Sequence, residues 1–326
     1  MKKAFVFGKF LPFHKGHEAM IRFALQHCDS LFVLICVSNK EKISGDIRKN
    51  WIEKTFCNLT NLKVQILDYE EDILPNTSVS SREVSLIWSE KFKQLFPDIE
   101  LLVSSEPYGT YVAEYMNITH LAFDFERKKH PVSATAIRQN LFEYWHFLPD
   151  SVKPYFAIKV VILGTESTGK TTLANRLATH FKCSLVNEAG REIVENSQNF
   201  AYEDLEKIAI VHAQSIEKAM IGKSPLIIID TDIHTTMSYS TFVFKNPLIV
   251  ENHIIDTNKA QLYLYLNNDV SFHQDGTRFD VTNRNQLDLS HRKTLLLHDI
   301  PLLEISGDWE NRFKKAVQAV TQLIKC

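Results

Sequence analysis

Ile158-Lys159-Val160-Val161-Ile162-Leu163, running straight into Gly164-Thr165-Glu166-Ser167-Thr168-Gly169-Lys170-Thr171-Thr172, decides the fold of the second half of this chain. The six-residue, largely apolar run predicts a strand buried on both faces, as in a parallel sheet. The nine residues after it satisfy G-x-x-x-x-G-K-[ST]. The helical pattern TTLANRLATHF (171–181) follows, so the motif has the strand–loop–helix setting of a P-loop. In that setting loop N–H groups cradle phosphates, Lys170 reaches the β/γ oxygens and Thr171 ligates Mg²⁺. The candidate nucleotide-binding residues are Gly164, Glu166, Ser167, Thr168, Gly169, Lys170, Thr171 and Thr172, although a second helical position such as Thr172 usually faces elsewhere.

Working outward, LIIIDTD (226–232) reads as a second buried strand ending in Asp230 and Asp232. Strand alternation puts both carboxylates on one face. Either Asp230 or Asp232 then serves a kinase as catalytic base, with Asp230 on the metal; the competing reading is a helix cap ahead of TTMSYS. No D-x-x-G follows, and Asn258-Lys259-Ala260-Gln261 lacks a guanine-reading Asp, which disfavours a GTPase. The polar segment 267–284 after AQLYLYL (260–266) is a candidate lid, with Arg278 or Arg284 closing on phosphates; an ordinary solvated loop is the plainer reading. SLVNEA (184–189), a long helix within 202–221, PLLEIS (301–306) and a closing helix over 309–325 complete this half.

The first half repeats the alternation. AFVFG (4–8), LFVLICVS (31–38), LKVQILDY (62–69), IELLVSSE (99–106) and HLAFDF (120–125) predict strands. Helices are expected near 17–27, 81–96 and 137–145. Such β-α-β order requires right-handed crossovers and an open parallel sheet covered by helices. FLPDSVKPYF (147–156), with two prolines and no periodicity, is the linker, giving expected domains at 1–150 and 156–326. The fold class is α/β: a Rossmann-like domain followed by a P-loop NTPase-fold domain.

Gly8-Lys9-Phe10-Leu11-Pro12-Phe13-His14-Lys15-Gly16-His17 sits where the first strand gives way to the first helix, the ligand-binding end of an α/β sheet. A helix start offers free N–H groups to an anion, and two histidines three apart can aim ring N–H groups at phosphate oxygens. No third His or Cys nearby completes a metal site. Ser133-Ala134-Thr135-Ala136-Ile137-Arg138 marks another helix start, where a hydroxyl, backbone N–H groups and an Arg fork suit phosphate.

Composition bounds the partners. Lys+Arg number 37 against 39 Asp+Glu, a net charge of −2, so no basic excess points to nucleic acid or an anionic membrane. Five cysteines form no CxxC pair, which argues against a disulfide framework and for a cytoplasmic protein. No run approaches the 18 apolar residues of a membrane span.

G-x-F-x-P-x-H-x-G-H, followed by S-x-T-x-[IL]-R, resembles the signature pair of the nucleotidyltransferase α/β phosphodiesterase superfamily. That resemblance implies direct adenylyl transfer from ATP to an acceptor phosphate. His14 and His17 would stabilise charge, Ser133 and Arg138 grip the β- and γ-phosphates, and Gly8, Lys9, Phe10 and Thr135 join the ATP site. With NEAGREIVE (187–195), IIIDTDIHTT (227–236) and DGTR (275–278), the whole chain resembles the NadR-type bifunctional enzymes. Those join nicotinamide-mononucleotide (NMN) adenylyltransferase to ribosylnicotinamide kinase.

The family's E-x-G-R-E element is matched at Glu188-Ala189-Gly190-Arg191-Glu192, which implies Glu188 and Arg191 near the riboside. The loop Ser104–Gly109, with Tyr108, is the likeliest acceptor loop of the first half. Expected ligands are ATP, Mg²⁺, nicotinamide riboside and NMN. Some members carry an N-terminal helix-turn-helix, whereas this chain opens at the catalytic strand, so no DNA partner is expected. A homo-oligomer is compatible with the sequence. The competing readings are another acceptor (nicotinate mononucleotide, pantetheine phosphate) and a non-catalytic NAD- or ATP-sensing regulator.

Overall fold

The computed structural model describes residues 1–76, 80–194, 200–270 and 279–325. The chain divides into two compact units, Met1–Lys153 and Pro154–Cys326.

In the first unit, β1 (Lys3–Gly8), β2 (Ser30–Ser38), β3 (Leu62–Tyr69), β4 (Leu101–Ser104) and β5 (Thr119–Ala122) form one sheet in the order β3-β2-β1-β4-β5. All four pairings are parallel. The order reverses between β1 and β4, so the crevice of the sheet opens beside the residues that follow β1. Phe5, Leu34 and Leu102 are fully or almost fully buried between this sheet and the helices Arg82–Leu95 and Tyr108–Met116, which contribute Phe92, Val112 and Ala113. Each such side chain contributes about 1.5–3 kcal/mol on burial.

The second unit has β6 (Ile158–Leu163), β7 (Ser184–Val186), β8 (Leu226–Asp230), β9 (Leu262–Leu266) and β10 (Leu302–Ile305) in the order β10-β9-β6-β8-β7, again all parallel. Leu173 and Leu177 of the helix Lys170–Phe181 and Ala316 and Val320 of Trp309–Lys325 pack on Val160, Ile162 and Leu264. Because β6 is central, its loop emerges mid-sheet, with β8 on one side and β9 on the other.

Some elements end earlier than their residue patterns suggest. The run read as a strand to 125 stops at Ala122, because Asp124 turns at φ 45° and its carboxylate accepts from Lys129 N and His130 N. The helix expected over 137–145 is broken at Asn140, which ends Ala134–Gln139 and caps the next short helix through Glu143 N. A one-turn helix, Lys153–Phe156, lies within the segment read as linker. Among the described residues no helix is long and apolar enough to cross a membrane.

Candidate functional site

In the first unit the loop after β1 wraps its aromatic side chains inward. Phe10 takes a left-handed φ of 48° and is buried beside Phe13 and His17, so its contribution to any ligand is its backbone. His14 is the N-cap of the helix Lys15–Leu25: its Nδ1 accepts from Gly16 N at 3.1 Å and His17 N at 3.4 Å. An acceptor Nδ1 leaves the ring proton on Nε2, the donor edge a phosphate oxygen requires. The His14 and His17 rings stack with centroids 3.7 Å apart. Burial first, then the charges of Arg127 and His130, pull His14 down to about 3. His17 is likewise held well below 6.5 by burial, His14 and Arg127. Both imidazoles are therefore neutral donors at neutral pH. A Cβ at Gly16 would meet the His14 ring at 3.0 Å, so a larger residue would press on that ring.

The second motif meets this loop. Arg138, 127 residues away, donates through Nη1 to Leu11 O and through Nη2 to Thr135 Oγ1 at 3.1 Å. Ser133 Oγ caps its helix by accepting from Ala136 N, and its hydroxyl proton remains available to a ligand. Lys9 pairs with Glu41 at 2.8 Å. Glu41 in turn pairs with Arg48, a fully buried guanidinium that also donates to Lys9 O at 3.0 Å. Sequence reading passed over Arg48, since a lone arginine in a helical stretch carries no pattern. Tyr108 lies against Phe7, with centroids 5.4 Å apart, and burial pushes its hydroxyl up. Beside it Ser104 Oγ, Thr110 Oγ1 and the His120 ring form a hydrogen-bonded cluster that leaves no room for a Cβ at Gly109. Of the other aromatic residues, Trp145 is core, Trp88 donates to Pro75 O, and Tyr202 donates to Pro247 O.

In the second unit Gly164 (φ 139°), Ser167 (φ 59°) and Gly169 (φ 85°) curl the loop between β6 and its helix. Lys170, buried by that curl, donates to Thr165 O at 3.0 Å, and Thr168 Oγ1 donates to the same carbonyl at 2.8 Å. Thr171 Oγ1 donates to Asp230 Oδ2 at 2.6 Å. Thr172, the next residue of that helix, is exposed. Asp230 is 1% exposed, and its other oxygen, Oδ1, has no partner among the described residues. Burial raises its pKa, against the opposing pull of Lys170.

The two aspartates do not share a face. The strand ends at Asp230, Thr231 turns at φ 77°, and Asp232 becomes the N-cap of the helix Ile233–Tyr239. Its Oδ1 accepts from Thr235 N at 3.1 Å, and its Oδ2 meets His234 Nδ1 at 2.6 Å. Alternation holds only while the strand continues, and here it stops one residue too early.

A cavity of about 310 Å³ adjoins the loop, lined by Gly164, Glu166, Ser167 and Lys170, by Glu188 and Arg191, and by Asp232, Tyr239 and His291. Arg191 Nε donates to Glu188 at 3.0 Å. Glu166 is held by Tyr239 OH at 3.1 Å and by Phe279 N at 2.9 Å. Tyr239 and His291 were not legible as cavity residues, because apolar-face aromatics and histidines read equally well as core. Burial keeps His291 neutral, with its pKa lowered to about 3. Arg284 is buried and donates to Asn268 O at 3.3 Å. Arg278 lies outside the described residues.

Two family models match the chain, one within each unit. Residues 4–121 match the citrate lyase ligase C-terminal domain family, and residues 159–312 match an AAA domain family. The trifunctional NAD biosynthesis/regulator protein NadR of Salmonella typhimurium is 28% identical over 98% of this chain and 82% of its own length. The NadR of Escherichia coli matches to the same extent. A crystal structure of NadR in complex with NR superposes with a TM-score of 0.70 at 18% identity, covering 99% of this chain and 96% of that one. One with NAD and AMP-PNP gives 0.67 at 18% identity, covering 98% and 95%. The fold is shared across both units, and the chain is similar to the NadR proteins over nearly its whole length.

Proposed function

We propose that this chain is a bifunctional NAD-salvage enzyme: the second unit phosphorylates nicotinamide riboside from ATP, and the first adenylylates the resulting NMN to give NAD and pyrophosphate. The observation that carries the reading is a group of phosphate-suited side chains in each unit. One is the His14–His17 stack joined to Arg138 through Leu11, and the other is the curled loop with Lys170, Thr171 and Asp230. The NadR homology supplies the substrate class.

In the first unit the reaction is displacement at the α-phosphate of ATP by the phosphate of the mononucleotide. The chain's contribution is positioning and charge stabilisation. Neutral His14 and His17 donate to oxygens that gain charge, while Ser133, Thr135 and Arg138 hold the leaving pyrophosphate. The backbone of Gly8 to Phe10 lets the nucleotide approach. Neutrality suits this task, because it leaves the His14 Nδ1 lone pair to cap the helix while Nε2–H donates to the ligand.

In the second unit the loop amides from Gly164 to Thr171 hold the donor phosphates, and Lys170 leaves Thr165 O to reach them. Asp230 offers a buried carboxylate oxygen without a partner among the described residues, beside a threonine hydroxyl, a hard-oxygen set that suits Mg²⁺. Thr171 and Asp230 would hold that ion, which neutralises charge on the transferring phosphates when bound. Glu188 and Arg191 sit on the cavity wall where the riboside would bind. Asp232, with both oxygens engaged, positions the helix Ile233–Tyr239 rather than serving as the base. A loose phosphoryl transfer depends more on positioning than on a strong base. The cytoplasm is the compartment we assign, since the cysteines among the described residues are free.

The test is mass-resolved product formation from nicotinamide riboside, ATP and Mg²⁺. NMN followed by NAD is the expected result. If the riboside is recovered unchanged, the acceptor assignment fails, and nicotinic acid riboside or another nucleoside takes its place in the assay.

A further inference from the structure

Trp309 is not accounted for by packing or by the sites above. It opens the helix Trp309–Lys325 with a side chain 48% exposed, although large aromatics normally repay their area by burial. Its ring lies across the phosphate-binding loop: a Cβ built on Gly169 would fall 2.2 Å from Trp309 Cζ3 and 2.5 Å from Cη2. Glycine is therefore required at 169 both for its φ and to admit the indole.

The indole stands on a rigid base. Arg312, one turn along the helix and 1% exposed, has its guanidinium carbon 5.5 Å from the ring centroid. It donates to Thr168 O at 2.9 Å, to Asn267 O at 2.9 Å, to Gly307 O at 2.8 Å and to the Asp269 carboxylate. One side chain thus ties the phosphate loop after β6 to the loops after β9 and β10, all at the carboxyl ends of adjacent strands. The Trp309 ring is fixed beside the loop and remains open to solvent.

We propose that Trp309 is the stacking platform for the base of the phosphoryl-donor nucleotide in the second unit. This rests on reading that unit as a nucleotide-dependent kinase. Once Lys170 and the loop amides hold the phosphates, the nucleoside must extend away from them along the loop. A half-exposed indole packed against Gly169 gives a purine a flat apolar surface there. Stacking uses the π face and ignores the base edge, so this contact favours purines in general and contributes affinity rather than rate.

The experiment compares two probes on the full chain: ADP, which has a base, and inorganic tripolyphosphate, which has none. Binding is read by calorimetry, taking the event that disappears in Lys170→Ala as the one at this loop. Trp309→Ala is expected to weaken ADP about tenfold. Tripolyphosphate should stay within about twofold, because its contacts are the loop amides and Lys170. Trp309→Phe keeps a stacking face and should restore most of the ADP affinity. Equal weakening of both probes would mean that the indole only shapes the loop, and unchanged ADP binding would place the base elsewhere; either result overturns the proposal. Neither readout requires a riboside, so unphosphorylated riboside in the turnover assay fails the acceptor assignment alone, and the ADP comparison still decides this one.

Discussion

Thr171 donates its hydroxyl to Asp230 Oδ2 at 2.6 Å across 59 residues of sequence, and this bond separates the roles of two aspartates that the sequence makes look equivalent. Asp230 keeps an unpaired oxygen among the described residues, whereas Asp232 uses both of its own to cap a helix and hold His234.

The variants should diverge accordingly. Asp230→Asn is expected to lower riboside phosphorylation by about 10²-fold or more, from the loss of charge where phosphate charge must be balanced. Its thermal midpoint should hold or rise, since the lost carboxylate was buried and unfavourably desolvated. Asp232→Ala is expected to cost about 1–3 kcal/mol of stability, from a lost cap and an unpartnered buried imidazole. Calorimetric melting alongside turnover checks both. Equal melting points for the two variants would contradict the assignment.

His14 gives a pH prediction. Its folded pKa is lowered to about 3 from 6.5, so below about pH 6.5 the unfolded chain binds a proton that the folded site refuses. Stability must therefore fall as pH drops from about 6.5 towards 3, by up to ~1.4 kcal/mol per pH unit for this group. His14→Asn keeps a capping acceptor but has no such titration. Urea midpoints from pH 7.5 to 4 should fall less steeply for the variant. Parallel curves would show that His14 does not titrate as its burial implies.

Arg138 links the two motifs of the first unit through Leu11 O. Arg138→Ala should reduce adenylyl transfer to NMN by about 10²-fold, the usual scale for losing one charge-stabilising donor. Arg138→Lys should recover little, because a single ammonium cannot reproduce the fork that serves Leu11 O and Thr135 together. Pyrophosphate release assayed with supplied NMN isolates this step. Full recovery by lysine would reduce Arg138 to a point charge.

Much of this architecture was legible because buried parallel strands write themselves as apolar runs. LKVQILDY reads as a strand over 62–69, and β3 spans Leu62–Tyr69. The closing helix likewise matches its amphipathic pattern over 309–325. Helices with weak stripes were harder. Gly45–Thr55 opens on a glycine and carries charged residues through its length, and its one fully buried cation, Arg48, looks like surface in a one-dimensional reading. The phosphate motifs were legible because backbone geometry near a phosphate restricts residue type at fixed spacing. The cavity beside the loop was not. Tyr239 and His291 reach it from helices far apart in sequence, and nothing local distinguishes a cavity wall from a core. The shared face expected for Asp230 and Asp232 failed for a related reason, since a single left-handed residue, Thr231, ends the alternation and leaves Asp232 as a helix cap.

The central claim is that two sites in two units act in series, and one parallel assay addresses it most directly. Wild type, Lys170→Ala and His17→Ala are each incubated with nicotinamide riboside, ATP and Mg²⁺, and the products are resolved by mass. The account predicts NAD from wild type, neither NMN nor NAD from Lys170→Ala unless NMN is supplied and then NAD, and accumulation of NMN in His17→Ala. NAD made from riboside by Lys170→Ala, or NMN failing to accumulate in His17→Ala while NAD still forms, would contradict it.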